Sequence, residues 1–466
     1  MKVPAFLGSS FAFLGGYYAI APKAGSGEYT QAELLPYACL GVACAGLVYL
    51  VLAAIIKAVG VNKVMRFFPP VVTGPIIISI GLGLAGSAVT NCVTNWGLAL
   101  VALALVIVFN IWGKGMAKIL PILIGVLGSV AIAVIFALIF GEPYTSAEGA
   151  TYIAVNGSPN MILFDQAALT NLKEAAWIGF PIHKSSTVLG VDFANKGLVL
   201  SSIIAIVPIA LATMMEHIGD ISAISATCGV NYIKDPGLHR TLLGDGLATT
   251  LASLVGGPAN TTYGENTGVL VLTKVYDPRV IRIAAGFATI LAFCPKFAAC
   301  IELLPSAVIG GISFILYGMI SGAGVRNVVE NRVDFSKSRN LIIAAVILVC
   351  SLGMTNGISF HIGSVGITLS ALATGSIAGI LLNAILPGKD YNFEDEEKSD
   401  PSAAVLVADV SILKHPKEEG KEEVADSAVA EQEAVATDSA ETEEKEAATD
   451  SAETEAAATD SAKAEQ

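Results

Sequence analysis

The chain of 466 residues is poor in charge: only 14% of its residues are Asp, Glu, Lys or Arg, whereas 54% are hydrophobic. That balance excludes an ordinary soluble domain. The seven cysteines include no Cys-x-x-Cys pair, and we interpret them as small buried hydrophobic residues, not as disulfides or metal ligands. The sequence also lacks a nucleophile–base pair and a phosphate-binding glycine loop. We therefore expect neither an enzyme nor a metal, cofactor or nucleic-acid partner.

The sequence contains many long apolar runs. Their length and hydropathy are typical of membrane-spanning helices, and we predict an all-α polytopic membrane protein embedded in a lipid bilayer. The pattern indicates twelve spans, at 4–21, 34–56, 69–90, 96–113, 119–140, 197–219, 241–257, 260–275, 281–300, 304–323, 338–354 and 363–386.

Basic residues mark one side of the membrane. The loops after even-numbered spans hold 14 of the 20 Lys and Arg residues in the first 388 residues, and Lys2 falls on the same side. By the positive-inside rule this side is cytoplasmic. We predict that both termini are cytoplasmic and that the long connection 141–196 is an external loop with some structure.

The composition changes abruptly after Pro387. Residues 389–466 contain 24 acidic and 7 basic residues and repeat ATDSA three times. A segment of this kind cannot bury enough apolar surface to offset the entropy of ordering it. We predict a transmembrane transport domain at 1–388 and a disordered acidic cytoplasmic tail at 389–466.

A weak internal repeat relates the two halves of the chain. GSSFAF (8–13) resembles NTTYGE (260–265), and PPVVTG (69–74) resembles PSAVIG (305–310) in the same order. The matched spans lie seven apart, and an odd offset gives the two halves opposite orientations in the membrane. The pattern therefore predicts an inverted-repeat transporter.

The repeat also predicts a gap at the start. In the second half two spans, 197–219 and 241–257, precede the repeated motif, whereas in the first half the motif begins eight residues from Met1. We expect Met1 to be an internal start and the complete chain to have fourteen spans. A naturally shortened protein is the alternative.

Two spans are predicted to be broken into extended backbone: one at Thr261–Tyr263 and one at its repeat copy in the first half, Gly8–Ser10. Thr261, Thr262 and Tyr263 favour extended backbone over helix, and Gly257-Pro258 directly precedes this segment. Non-helical backbone at membrane depth is tolerated only where protein or a polar cavity satisfies its N–H and C=O groups. Interrupted segments at corresponding places in two repeats indicate a binding site near the membrane midplane.

Carboxylates accompany these broken spans. Glu216 and Asp220 in MMEHIGD are four residues apart and share one face of a helix, while His217 points elsewhere. Glu265 follows the extended segment. A carboxylate within a span is costly and usually functional. The alternatives are that Glu216 and Asp220 only end a helix at the interface and that Glu265 makes a structural hydrogen bond. His217 is as compatible with packing as with function.

Several strings resemble a known family. TMMEHIGD, KDPGLHRTLLGDGLAT, GGPANTTYGENTGVLVLTKVY and PAFLGSSFAF resemble the nucleobase–ascorbate transporter family of proton symporters, and within it the uracil permeases. The resemblance covers most of 1–388 and leaves the tail outside. It implies two inverted seven-span repeats, a core domain and a gate domain, a short β-strand in each broken span, a bacterial plasma-membrane location and a possible homodimer.

The resemblance also implies a site for the base between the two strands. Carried over by position, Glu216 and Glu265 bind the pyrimidine edge, Phe11 and Tyr263 line the site, and backbone N–H groups near Phe11 and Gly264 help to hold the base. The implied activity is proton-coupled uracil import, driven by the proton gradient alone.

Proton coupling is implied for Asp220, Glu216 and Tyr317. The family's uracil permease pattern is Glu-His-x-Gly-His, and the resemblance implies a role in proton coupling for its second His. Here Asp220 stands at that position, so the pH dependence of coupling is expected to differ. The alternative is that Asp220 is only a partner and Glu216 carries the proton. Glu265 favours the uracil branch, because purine-transporting relatives typically have Gln there. The alternatives are a xanthine or urate permease, an anion transporter on the same fold, and a non-transporting or truncated membrane protein.

Overall fold

The computed structural model describes residues 3–22, 29–183, 186–354, 357–362 and 365–388, which lie in one compact unit. Met1 and the tail 389–466 lie outside the described residues, so the domain boundary and the predicted disorder of the tail stay predictions.

The first half is a series of helices that follows one short strand. Its elements are β1 Leu7–Ser9, a 3-10 turn Phe11–Phe13, α1 Leu14–Ile20, α2 Gln31–Val59, α3 Val61–Met65, α4 Pro70–Gly83, α5 Ala85–Val93, α6 Trp96–Ile111, α7 Met116–Ile119 and α8 Pro121–Phe140.

A connection with three strands and one helix leads to the second half. It contains β2 Gly141–Thr145, β3 Thr151–Val155, β4 Ile162–Asp165, α9 Gln166–Glu174 and a 3-10 turn Val188–Gly190. The second half then runs through α10 Lys196–Ile206, α11 Ile209–Cys228, a π-helical turn Ile233–Gly237, α12 Leu238–Leu254, β5 Asn260–Thr262, α13 Glu265–Thr273, α14 Pro278–Ala292, α15 Pro295–Glu302, α16 Ser306–Glu330, α17 Ser338–Leu348, a π-helical turn Val349–Gly353, β6 Ile358–Ile362, β7 Val365–Leu369 and α18 Ala371–Ile385.

Each of the twelve predicted spans contains a helix. By length and hydropathy, five helical segments of the described chain are long enough to cross a membrane, or six if the pair α14–α15, bent by 90°, counts as one span. The five are Gln31–Val59, Pro70–Val93, Pro121–Phe140, Lys196–Ser225 and Ser306–Glu330. Four further apolar helices are shorter, and one of them, Phe11–Ile20, follows the first broken segment.

The structure has more strand than the sequence predicts. Strands β2, β3 and β4 form an antiparallel sheet in the connection, and β6 pairs with β7. The predicted span 363–386 is therefore wrong at its start, because its helix begins only at Ala371. Ile367 and Thr368 are β-branched residues that alternate in polarity, which favours a strand over a helix.

Glycines allow helices α2 and α12 to pack closely against each other. Helix α2 crosses α12 at Gly46 and Gly246, next to the fully buried Tyr49. A Cβ on Gly246 would lie 2.5 Å from Cβ of Tyr49 and 2.8 Å from the carbonyl oxygen of Gly46. Such close approach of two backbones is how helices pack in membranes without a hydrophobic driving force.

We expect Gly246→Ala to destabilise the protein, because an added methyl has no room at this crossing. Overpacking of this kind costs about 1–3 kcal/mol. The measurement is the thermal unfolding midpoint of the purified protein in detergent. Gly244→Ala is the matched control on the same helix, since a Cβ there meets no atom within 4 Å. Equal midpoints for the two variants would contradict the tight α2–α12 crossing.

Candidate functional site

The two broken spans meet in space. Strand β1 pairs with β5 in antiparallel register, with Gly8 opposite Thr261 and Ser9 opposite Asn260. The ladder continues at both ends, where Ser10 N–H donates to the carbonyl of Ala259 at 2.8 Å and Tyr263 N–H donates to the carbonyl of Phe6 at 2.9 Å. Each broken span thus satisfies the backbone polar groups of the other, and the two predicted strands are confirmed.

Helix α11 lies beside β5 and contacts it through two consecutive residues. The Glu216 carboxylate accepts a hydrogen bond from the Thr261 hydroxyl at 3.1 Å. The next residue, His217, has Nδ1 at 2.8 Å from the Thr262 hydroxyl oxygen. Because consecutive strand residues point to opposite faces, Glu216 and His217 hold opposite faces of β5.

Asp220 lies one turn beyond Glu216, against the backbone at the end of β5. A Cβ built on Gly264 would be 2.5 Å from Oδ1 of Asp220. Position 264 therefore has no room for a side chain beside this carboxyl group. The structure thus brings together Glu216, Asp220 and Gly264, which the sequence predicts to share one site.

Aromatic residues from both repeats also converge. The rings of Phe11 and Tyr317 lie 5.5 Å apart at 78°, an edge-to-face contact between the turn after β1 and helix α16. Tyr263 instead extends over β1, where its hydroxyl donates to the carbonyl of Ser9 at 2.9 Å. A Cβ on Gly8 would overlap the Tyr263 ring, so the glycine makes room for it.

The side chain of Glu265 lies outside the described residues, although its backbone begins α13 directly after β5. Its predicted contact with a base stays a prediction.

Two buried hydroxyl groups near the strands are not among the predicted site residues. Ser10 follows β1, and Thr267 lies in the first turn of α13; among the described residues neither hydroxyl has a hydrogen-bond partner. A buried polar atom without a partner calls for an explanation, and at the ends of two strands a polar ligand supplies one. The internal repeat is the sequence signal for Ser10, whereas Thr267 carries none.

Asp245 on α12 is a third functional candidate that the sequence analysis leaves out. It is 1% exposed, and its Oδ2 lies 3.0 Å from Nδ1 of His217, which is 2% exposed. The signal is visible in the sequence, because Asp245 is a lone carboxylate within the predicted span 241–257. It is the same signal that points to Glu216.

Paired half-strands between two sets of helices define an inverted-repeat membrane transporter. The solved structures agree on this fold: the transmembrane domain of the cyanobacterium bicarbonate transporter BicA matches with a TM-score of 0.50 and 14% identity, over 81% of this chain and 85% of that chain. SLC26A9 matches with a TM-score of 0.51 and 11% identity, over 83% of this chain and 57% of that chain.

Sequence comparison identifies the family. A family model described as "Permease family" (Xan_ur_permease) matches residues 1–360. The uracil permease of Bacillus subtilis (strain 168) is 37% identical over 414 residues, covering 86% of this chain and 84% of that protein. The putative pyrimidine permease RutG of Escherichia coli (strain K12) is 35% identical over 393 residues, covering 83% and 79%. The chain belongs to this permease family and is a multi-pass membrane transporter, not an enzyme.

We expect Gly8→Ala to disrupt the strand pair, because the added methyl displaces the Tyr263 ring and breaks its hydrogen bond to Ser9. The expected loss is about 1–3 kcal/mol from overpacking, read as a lower thermal midpoint in detergent. Gly15→Ala is the control, since the nearest atom to its Cβ, Cβ of Ser370, lies at 3.6 Å. A Gly8→Ala midpoint as high as that of the control would contradict the described position of Tyr263.

Proposed function

We propose that this permease is a proton-coupled uracil symporter that binds the base at the paired strands β1 and β5. The single observation that carries the proposal is the placement of two carboxyl groups, Glu216 and Asp220, on one face of α11 against β5 and Gly264. The names of the relatives, uracil permease and pyrimidine permease, support a pyrimidine base as the substrate. The proposed location is the bacterial plasma membrane, with both termini in the cytoplasm.

The chemistry of uracil suits carboxyl groups. Its edge alternates N–H donors and C=O acceptors. An ionised carboxylate only accepts hydrogen bonds, whereas a protonated carboxyl group also donates one. Glu216 accepts a hydrogen bond from the Thr261 hydroxyl, and the proposal places an N–H of the base against the same carboxylate. Glu265, at the start of α13, is proposed as the second carboxylate on the pyrimidine edge.

Neighbouring groups complete the proposed site. The Phe11 ring, held edge-to-face by Tyr317, offers an aromatic surface to the flat base. The hydroxyl groups of Ser10 and Thr267 have no partner within the described residues, so a ligand with several polar atoms would satisfy them. Two carboxyl groups also disfavour an anion, which is the cargo in the printed name of one fold relative.

Proton coupling follows from linkage between the two ligands. If a proton on Asp220 makes uracil bind more tightly, uracil must make the proton bind more tightly by the same factor. A neutral Asp220 also removes a partly buried charge one helical turn from Glu216, which lowers the cost of bringing the base into the site. Asp220 is therefore the proposed proton carrier, and Glu216 the proposed base ligand.

The direct test is uptake of labelled uracil by a bacterial host that lacks its own uracil permease. We expect uptake that a protonophore abolishes, because the proton gradient drives it. Unlabelled uracil should compete, and xanthine and urate should not. Competition by the purines alone would transfer the proposal to a purine permease, and a chain present in the membrane without any flux would overturn transport of these bases.

We expect Glu216→Gln to lose uracil uptake and to weaken uracil binding, because an amide cannot replace an acceptor-only carboxylate on the base. Glu265→Gln should have the same effect. Binding to the purified protein is measured together with uptake, and the expected loss is at least about tenfold, the scale of one charged hydrogen bond. Glu330→Gln on the half-exposed end of α16 is the control. Normal binding by both site variants would contradict the assignment.

We expect Asp220→Asn to bind uracil yet lose its accumulation. In proteoliposomes the variant should exchange labelled for unlabelled uracil at equilibrium, because the base ligands remain. A pH gradient should no longer drive net uptake, since no proton is carried. Net uptake that still follows the pH gradient would remove Asp220 from coupling and transfer the proton to Glu216.

A further inference from the structure

A second polar cluster lies on the face of β5 that His217 holds. His217 has Nδ1 near Thr262 at 2.8 Å and near Asp245 Oδ2 at 3.0 Å, and its Nε2 lies 3.0 Å from the hydroxyl oxygen of Thr241. The side chains of His217 and Asp245 are almost fully buried. The proposed transport mechanism uses neither of them.

The hydrogen bonds around His217 accommodate a proton on each ring nitrogen. Thr241 donates its hydroxyl hydrogen to the carbonyl of Leu238 at 3.0 Å, so its oxygen accepts from Nε2–H. On the other side the Thr262 hydroxyl oxygen, 2.8 Å from Nδ1, can accept from an Nδ1–H, and the Asp245 carboxylate lies within ion-pair distance of the same nitrogen.

Charge balance favours this doubly protonated ring. Neither oxygen of Asp245 has a hydrogen-bond partner within the described residues. Among the described residues, Asp245 lies near Tyr49 from α2, whose hydroxyl donates to Thr213 at 2.5 Å, and Tyr49 in turn lies near Glu216 from α11. Neither is a cation. A buried carboxylate without a cation is strongly destabilising, and the His217 ring supplies the cation.

The same cluster anchors β5 to α12 at two points. Thr249 bonds to both the N–H and the C=O of Asn260, at the start of the strand, with 3.3 Å for each contact. Asp245 lies one turn earlier on the same face of α12 and reaches Thr262, at the end of the strand, through His217. Both ends of the three-residue strand are thereby fixed.

From these contacts we propose that His217 and Asp245 form a buried proton-holding pair that positions β5 and through it the base site. Its proton is separate from the transported proton of Asp220. His217 is a positioning residue: it acts on the substrate only through Thr262. The effect on transport rests on the proposed function, whereas the protonated state of His217 does not.

The first experiment measures that protonated state directly. The full chain is labelled with ¹⁵N-histidine, freed of any affinity tag and placed in lipid vesicles without substrate. Magic-angle-spinning NMR then records the ring nitrogens, and His217→Gln identifies the His217 signals among the five histidines. At pH 7.5 we expect two protonated ring nitrogens in the wild type and a neutral ring in Asp245→Asn. A neutral His217 in the wild type would overturn the pair.

The second experiment measures its effect on transport. Asp245→Asn and His217→Gln should each raise the KM for uracil at least about fivefold, with proton-driven accumulation retained, which separates them from Asp220→Asn. The double variant should be no worse than either single variant, because two residues that act as one unit are not additive. His239→Gln, at the start of α12, is the control. Additive losses would contradict a pair. If the His217 and Asp245 variants do not reach the membrane, Gln variants of the other four histidines identify the His217 signals by elimination, and the protonation state of the intact pair decides.

Discussion

Backbone hydrogen bonding within the membrane is the constraint on which the rest of this structure depends. Two spans, one in each half, break into extended backbone, and an unsatisfied N–H or C=O group in hydrocarbon costs several kcal/mol. Pairing β1 with β5 satisfies both breaks at once. It also ties the two halves together at one place, so the side chains next to that place come from distant parts of the chain.

The strand pair then determines which polar residues can be buried. Glu216, His217 and Asp220 from α11 and Asp245 from α12 all lie near β5 or the residues that flank it. The Thr261 hydroxyl donates to Glu216, and His217 lies within ion-pair distance of Asp245. In the proposed mechanism each carboxyl group has a different role: Glu216 binds the base, Asp220 carries the transported proton and Asp245 positions the strand.

The proposed roles of these side chains would also explain how transporters of one fold carry different substrates. The bicarbonate transporter BicA has a similar fold at 14% identity, so the arrangement of helices alone does not determine the substrate. In the proposed mechanism the side chains at the strand pair determine it. Carboxyl groups there would repel an anion, whereas a neutral base with alternating donors and acceptors suits them.

Much of this site follows from the sequence, because its signals are local. Breaks at Gly-Pro and Thr-Thr-Tyr predict the strand in the second half, and carboxylates in apolar runs predict Glu216 and Asp220. The edge-to-face contact between Phe11 and Tyr317 depends on tertiary packing and cannot be predicted from the sequence of either segment. The sequence analysis predicts neither the sheet β2–β4 nor the hairpin β6–β7. For the hairpin the reason is that an apolar run does not distinguish strand from helix at its end. Asp245 is visible in the sequence as a lone carboxylate within a predicted span, but only the fold shows that it lies beside His217.

A crystal structure with 5-bromouracil, in which the bromine is located by its anomalous scattering, would show directly where the base binds. We expect one bromine peak beside the β1–β5 pair, within contact distance of Phe11 and Gly264, with a ring edge on Glu216. A peak elsewhere, such as among α6, α8 and α16, would contradict the claim that the paired strands form the binding site.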